Sequence, residues 1–222
     1  IDRIRAAVPK HIEVHHSFQT NGVLIDQNWC DFFKSRSVRL GLSIDGPAAL
    51  HDLHRRTREG KPTLHLVERS VALLKKAGVD FHVIAVLTLD SVKQADEIFH
   101  YFDNLGTSYI CFNIEEIEGI NQQSKLLASD KYEEYANFFQ RLYELRAQRA
   151  SAMKIREIDG VLGTILNWRE GGSQAISRTQ ENHPFKILNV DTAGNFCTFS
   201  PELLGTNSKR YGDMNLGNVY ET

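Results

Sequence analysis

The sequence predicts an α/β fold: parallel strands with helices outside, plus a small C-terminal hairpin-containing appendage. Three observations carry this expectation. Four short runs, residues 12–18 (IEVHHSF), 38–44 (VRLGLSI), 81–87 (FHVIAVL) and 109–114 (YICFNI), are β-branched or aromatic in character and close in polar or turn residues. Helical patterns separate them, and strand–helix alternation marks parallel strands joined by right-handed crossovers. After Ala150 the alternation stops, and two further runs flank a hairpin turn signal, Asp191-Thr192-Ala193-Gly194. The expected division is therefore a body at 1–150 and an appendage at 151–222.

Taken in order, the chain opens on Ile1 inside an amphipathic helical pattern, so it reads as a piece of a longer protein. The first strand ends in Gln19-Thr20-Asn21-Gly22. Asp26 is placed to cap a helix over 27–35. The second strand ends in Asp45-Gly46-Pro47 and leads into HDLHRRTR at 51–58. That charged run reads either as a solvated helix face or as a loop with one Arg turned inward to grip a carboxylate or phosphate. A helix over 64–77 carries Val67, Val71 and Leu74 at helical spacing and stops at Gly78. The third strand ends in Thr88, and Ser91 is placed to cap a helix over 92–104 with Ala95, Ile98, Phe99 and Phe102 on one face. The fourth strand ends in Glu115-Glu116. With Glu118 these carboxylates would repel, so some must face water or a cation. Asp130-x-x-Glu133 opens a helix over 130–150 whose apolar stripe is Tyr135, Phe138, Phe139 and Leu142. In the appendage, residues 170–184 read as irregular, and 185–190 and 195–199 form the hairpin.

Composition narrows the function. At 222 residues with 41% hydrophobic and 24% charged side chains, the chain is long enough for one domain with a full core. A net charge of −2 offers no global field for nucleic acid or an anionic membrane. No run approaches a membrane span and no signal peptide stands at the start. Cys30, Cys111 and Cys197 are scattered without a CxxC pair, which fits a reducing, cytoplasmic compartment. No GxGxxG or Walker loop is present. In a strand His15 and His16 of HIEVHH face opposite sides, which argues against a shared metal ion. No Ser-His-Asp or Cys-His set assembles from neighbouring positions. No base or lysine stands at a strand end to serve a hydrolase or aldolase, and Asp191 and Asp213 read as loop residues. Ligands of parallel sheets and barrels sit at the carboxyl ends of strands, so the four polar endings share one rim.

QTNG, the helix containing WCDFF, GLSIDGPAALHDLHR and the helix ending LLKKAGV together resemble the core of radical S-adenosylmethionine enzymes. The resemblance covers about residues 10 to 120. It is closest to the SPASM-type branch of protein and peptide maturases, which includes the anaerobic sulfatase-maturating enzymes. The tail, VDTAGNFCTFSPELLG followed by YGDMNLGNVYE, resembles the cyclophane-forming peptide maturases of that branch. The resemblance implies a partial (βα) barrel with four of six core strands. It implies S-adenosylmethionine as cofactor, a 4Fe-4S cluster, a ribosomal precursor peptide as substrate, and a reductant protein such as a flavodoxin or ferredoxin. By position, it implies that Ser43 and Arg55 contact the cofactor's ribose and methionine moieties. Gln19 and Asn21 would line the same cavity, Asp45 would shape it, and the stretch from Asn113 to Ile117 would lie beside the adenine.

Two departures qualify this expectation. The CxxxCxxC motif whose thiolates hold the cluster is missing, as is the GGE-type motif that binds the methionine amine, so the cluster ligands are expected upstream of this chain. The tail lacks the cysteines of auxiliary clusters, with Phe199 standing where a Cys would be, which speaks against such clusters. Alone, the 222 residues are expected to be inactive. The rival reading is a non-catalytic, barrel-derived module that binds a peptide or protein partner through its rim and tail. Uncovered strand edges would favour self-association or compensating contacts in either case.

Overall fold

The computed structural model describes residues 1–115, 117, 124, 131–169 and 185–221. Two compact units divide the chain, Ile1–Gly160 and Val161–Thr222. The first carries a short helix α1 (Asp2–Ala7) and a five-stranded parallel sheet in the order β1–β2–β3–β4–β5. Its strands are β1 (Ser17–Thr20), β2 (Arg39–Ser43), β3 (Phe81–Leu87), β4 (Tyr109–Ile114) and β5 (Lys154–Ile155). The connections hold α2 (Gln27–Arg36), α3 (Ala48–His54), α4 (Leu64–Ala77), α5 (Ala95–Asn104) and α6 (Tyr132–Gln148), and α7 (Arg156–Arg169) follows β5. The α/β class and the parallel strands are as the alternation predicts.

Local chemistry sets several boundaries. Asp26 caps α2 by accepting the Trp29 N–H at 3.0 Å, and α4 ends where Gly78 adopts φ +67. Other boundaries differ from expectation. Residues 12–16 are not strand: β1 starts at Ser17 because its partner β2 starts at Arg39, and a strand exists only where another strand pairs with it. His15 instead meets Glu13, at 3.3 Å. α5 starts at Ala95, not at residue 92. Ser91 does not cap it, because its hydroxyl accepts the Thr88 N–H at 2.7 Å and closes a turn after β3. HDLHRRTR is not a wholly solvated face: α3 buries Leu50 and His51 against the body. β5 adds a fifth strand to the four expected. Asp130, Glu116, Glu118 and the irregular stretch at 170–184 lie outside the described residues.

The sheet's two faces differ. Leu40, Leu42, Val83, Ala85, Leu87, Ile110 and Phe112 are almost wholly buried in the main core. Leu42 lies beside Val67 of α4 around Gly22, and the Phe112 ring meets Phe138 and Phe139 of α6. Alternation then turns Gln19, Gly41, Ser43, His82, Ile84, Tyr109, Cys111 and Asn113 to the opposite face. Gly41 has a packing reason: a Cβ there would lie 2.9 Å from His82 Nε2.

The second unit contains an antiparallel sheet in the order β10–β7–β6, made of β6 (Leu188–Val190), β7 (Asn195–Thr198) and β10 (Gly217–Asn218). A second pair joins β8 (Asn207–Ser208) and β9 (Gly212–Asp213). The expected hairpin is present, with Val190 opposite Phe196. Asp191 organises its turn, taking the N–H groups of Ala193 and Asn195 on Oδ1 at 2.8 and 2.9 Å. Among the described residues no helix is long and apolar enough to cross a membrane.

Candidate functional site

At the carboxyl end of β1 the chain uses Thr20-Asn21-Gly22 to turn. Thr20 Oγ1 accepts the Gly22 N–H and Asn21 Oδ1 accepts the Val23 N–H, both at 3.2 Å. Gly22 sits at φ +73, and a Cβ there would also press on Val67 and Leu42. The apolar run stops here because these side chains satisfy their own backbone. Gln19 stays exposed, and its Nε2 donates to Ser43 Oγ across the sheet at 3.5 Å. A cavity of about 390 Å³ adjoins this end, lined by Gln19, Asn21 and the rings of Phe18, Trp29 and Phe32. A larger one, about 730 Å³, lies at the amino ends of the strands beside Ser17, Arg39, His82 and Tyr109. The carboxyl ends carry the expected site residues, and that is where parallel sheets hold ligands.

The end of β2 is built around a buried ion pair. Asp45 receives Arg55 Nε at 2.5 Å and Nη2 at 2.9 Å, and its Oδ1 also accepts the Val86 N–H of β3 at 3.0 Å. The bidentate grip anticipated for an Arg of HDLHRRTR therefore exists, but its carboxylate belongs to the chain itself. His51, with no exposed surface, accepts the Asp45 N–H on Nδ1 at 3.3 Å and faces Thr63 Oγ1 through Nε2 at 3.2 Å. Burial holds its pKa below the ordinary histidine value, and Arg55 adds to that while Asp45 and Asp52 oppose it. Asp52 Oδ1 accepts the N–H groups of Thr63 and Leu64 at 2.8 and 2.9 Å, satisfying donors at the start of α4.

At the end of β4, Arg156 donates through Nη2 to Phe112 O and to Asn113 Oδ1, both at 2.8 Å, and through Nε to Glu157 Oε1 at 2.7 Å. Glu157 in turn accepts the Phe112 N–H at 3.1 Å. Burial raises the pKa of Cys111 beside this cluster. Ile117 is exposed.

Of the residues expected at the rim, the structure brings Gln19 to Ser43 and Arg55 to Asp45. Asn113 joins Arg156 instead. Sequence reasoning missed His51, Asp52 and Thr63, and it missed Arg156 and Glu157 because the body was expected to end at Ala150. Leu50 and His51, three and four residues after Pro47 and so on one side of a helix starting there, were the available signal for α3. Among the described residues no three metal-ligating side chains converge.

No protein-family model matches the chain. An uncharacterized protein of Synechocystis is 41% identical over 204 residues, which are 92% of this chain and 50% of that protein. The cysteine-type anaerobic sulfatase-maturating enzyme of Clostridium perfringens is 32% identical over 161 residues, 71% of this chain and 43% of the enzyme. The chain thus spans about half the length of the curated relatives it matches. Native anSMEcpe with bound AdoMet matches with a TM-score of 0.75 and 28% identity, covering 96% of this chain and 56% of that one. The same protein with AdoMet and the Kp18Cys peptide matches at 0.77 and 26% identity, covering 98% and 58%.

Proposed function

We propose that this chain, which is homologous to the anaerobic sulfatase-maturating enzymes, is the body of a radical S-adenosylmethionine peptide maturase. Its substrate is a ribosomal precursor peptide, and the product carries a crosslink or an oxidised residue. One observation carries the reading: a frame shared over 96% of the chain with an AdoMet-bound structure presents polar side chains at the carboxyl ends of its parallel strands. The Kp18Cys peptide bound to the same neighbour supports a peptide substrate.

The residues present suit S-adenosylmethionine. Ser43 and Gln19, in contact across β1 and β2, offer a hydroxyl and an amide to ribose oxygens. Arg55, held by Asp45, offers its remaining N–H groups to the methionine carboxylate. Asn21 lines the adjoining cavity, and the stretch from Asn113 to Ile117 would lie beside the adenine. When bound, the cofactor supplies the radical chemistry that removes hydrogen from the peptide.

The residues present do not suit a 4Fe-4S cluster. Cys30, Cys111 and Cys197 are buried separately, and no ligand set converges among the described residues. In this reading a cluster would take its ligands from a part of the parent protein other than these residues. The reductant in this reading is a protein such as a flavodoxin or ferredoxin.

The test uses the full-length product of the same gene, purified without oxygen and reconstituted with iron and sulfide. The expected result is about four irons per chain and release of 5′-deoxyadenosine from S-adenosylmethionine with a reductant, weakened in Arg55→Ala. No iron and no deoxyadenosine would overturn the proposal in favour of a non-catalytic peptide-binding module.

A further inference from the structure

The segment from Asp45 to Thr63 closes on itself in a ring of hydrogen bonds. The Asp45 N–H donates to His51 Nδ1, which leaves the imidazole proton on Nε2, facing Thr63 Oγ1. The Thr63 hydroxyl donates onward to Arg55 O at 2.7 Å. The Arg55 guanidinium returns to the Asp45 carboxylate through two bonds. Every polar contact in the ring runs in one consistent donor direction, so a single proton arrangement satisfies all of it. The ring is sealed from water everywhere but at Arg55: His51, Thr63 and Asp45 are 0%, 5% and 7% exposed. It is also anchored outside itself, to β3 through the Val86 N–H and to α4 through Asp52.

A buried ion pair and a buried imidazole are poor sources of net stability, since apolar side chains of similar volume do as well or better. Their use here fixes a geometry. Arg55 has five N–H donors, and Asp45 takes those of Nε and one of Nη2. Nη1 is uncommitted among the described residues, on a side chain that is 28% exposed.

We infer that His51 and Thr63 are positioning residues: they hold the Arg55 main chain and guanidinium against Asp45, so that Nη1 of Arg55 and Oγ of Ser43 present one fixed set of donors to the ligand at the strand ends. This rests on the S-adenosylmethionine reading above. Neither residue touches the ligand. Both act through Arg55 and through the Asp45 main chain, two residues beyond Ser43.

The pH dependence follows from the same ring. A second proton on His51 would sit on Nδ1 and oppose the Asp45 N–H. The charged groups facing the imidazole are Asp45 at the end of β2, Arg55 after α3 and Asp52 on α3. Burial and Arg55 keep the ring neutral at neutral pH, against the two carboxylates.

The experiment measures S-adenosylmethionine affinity by equilibrium dialysis, on the anaerobically reconstituted full-length protein, with folding checked by circular dichroism. Thr63→Val keeps the shape and removes the hydroxyl. It removes both hydrogen bonds of that hydroxyl, to His51 and to Arg55 O, and is expected to weaken binding about five- to tenfold, and Thr63→Ser is expected to restore it. Wild-type affinity is expected to fall as the pH drops through the folded pKa of His51, which burial holds below the ordinary histidine value, and His51→Asn, which cannot take that proton, is expected to lose this dependence. Unchanged binding in folded Thr63→Val would overturn the inference. So would a pH profile that His51→Asn leaves intact, which decides the matter if Thr63→Val does not fold. A wild-type protein that binds no S-adenosylmethionine would overturn both the inference and the reading beneath it.

Discussion

In β3 every second side chain is sealed: Val83, Ala85 and Leu87 are at most 1% exposed, inside a core shared with α4, α5 and α6. In the β6–β7 hairpin of the second unit, Leu188 and Val190 are 57% and 54% exposed, and strands run for only three and four residues. The first unit is held by apolar burial, at roughly 25 cal/mol per Å² removed from water. It can therefore carry a polar rim and a buried ion pair without losing its shape. The second depends on directed hydrogen bonds around turns, such as those that Asp191 receives from Ala193 and Asn195. Such segments open locally at lower free energy than packed cores. Chemistry that needs atoms held in place belongs on the first kind of frame.

Core truncation should separate the two regions most strongly. Phe102 is fully buried, and Phe102→Ala is expected to destabilise its unit by about 3–5 kcal/mol in urea unfolding. Leu188→Ala, on an exposed strand, is expected to stay within about 0.5 kcal/mol. Equal losses would break the comparison.

The next effect concerns the rim. Arg55→Ala would leave the Asp45 carboxylate buried without its cation, at an expected loss of about 3 kcal/mol. Arg55→Lys should recover only part of it, because an ammonium cannot reproduce the two-point contact. Full recovery, by unfolding midpoint, would deny the bidentate geometry.

Acid should act on the first unit before the second. His51 has a lowered pKa in the folded chain, chiefly from burial. Its contribution is therefore fully present above its unfolded value, about 6.5, and is lost as the pH falls below that. A melting temperature tracked from pH 7.5 to 5.5 (a window set by about one unit either side of that value) should decline more steeply in the wild type than in His51→Asn. The smallest effect is at the hairpin turn. Hydrogen bonds from Asn195 hold the Asp191 carboxyl below the usual carboxylate value, so the turn is stabilised above pH 3.8, the ordinary Asp value, and loosens as the pH falls through the folded pKa. Faster amide exchange at Asn195 on such acidification would show it; an unchanged rate would remove Asp191 as the organiser of the turn.

Elements with strong periodicity and caps were legible: α4 matches its expected span and β3 and β4 match theirs, because Val67, Val71 and Leu74 and the terminal Gly78 all agree. The start of β1 was not, since it depends on where β2 begins. α3 was hidden under its charges, because the burial of His51 depends on Asp45 and Thr63 folding around it. β5, two residues long, has no pattern of its own and exists only by pairing with β4.

By itself, the sequence determined the α/β class, the polar endings of the strands, the hairpin and the family resemblance. These are local properties, set by side-chain period and turn residues. Tertiary structure alone decided that Arg55 pairs with Asp45, that His51 and Thr63 close a ring behind them, and that Arg156 and Glu157 meet the end of β4. Those pairings join residues 6 to 45 positions apart, and a hydrogen bond in a dry interior is specified by the packing that excludes water from both partners.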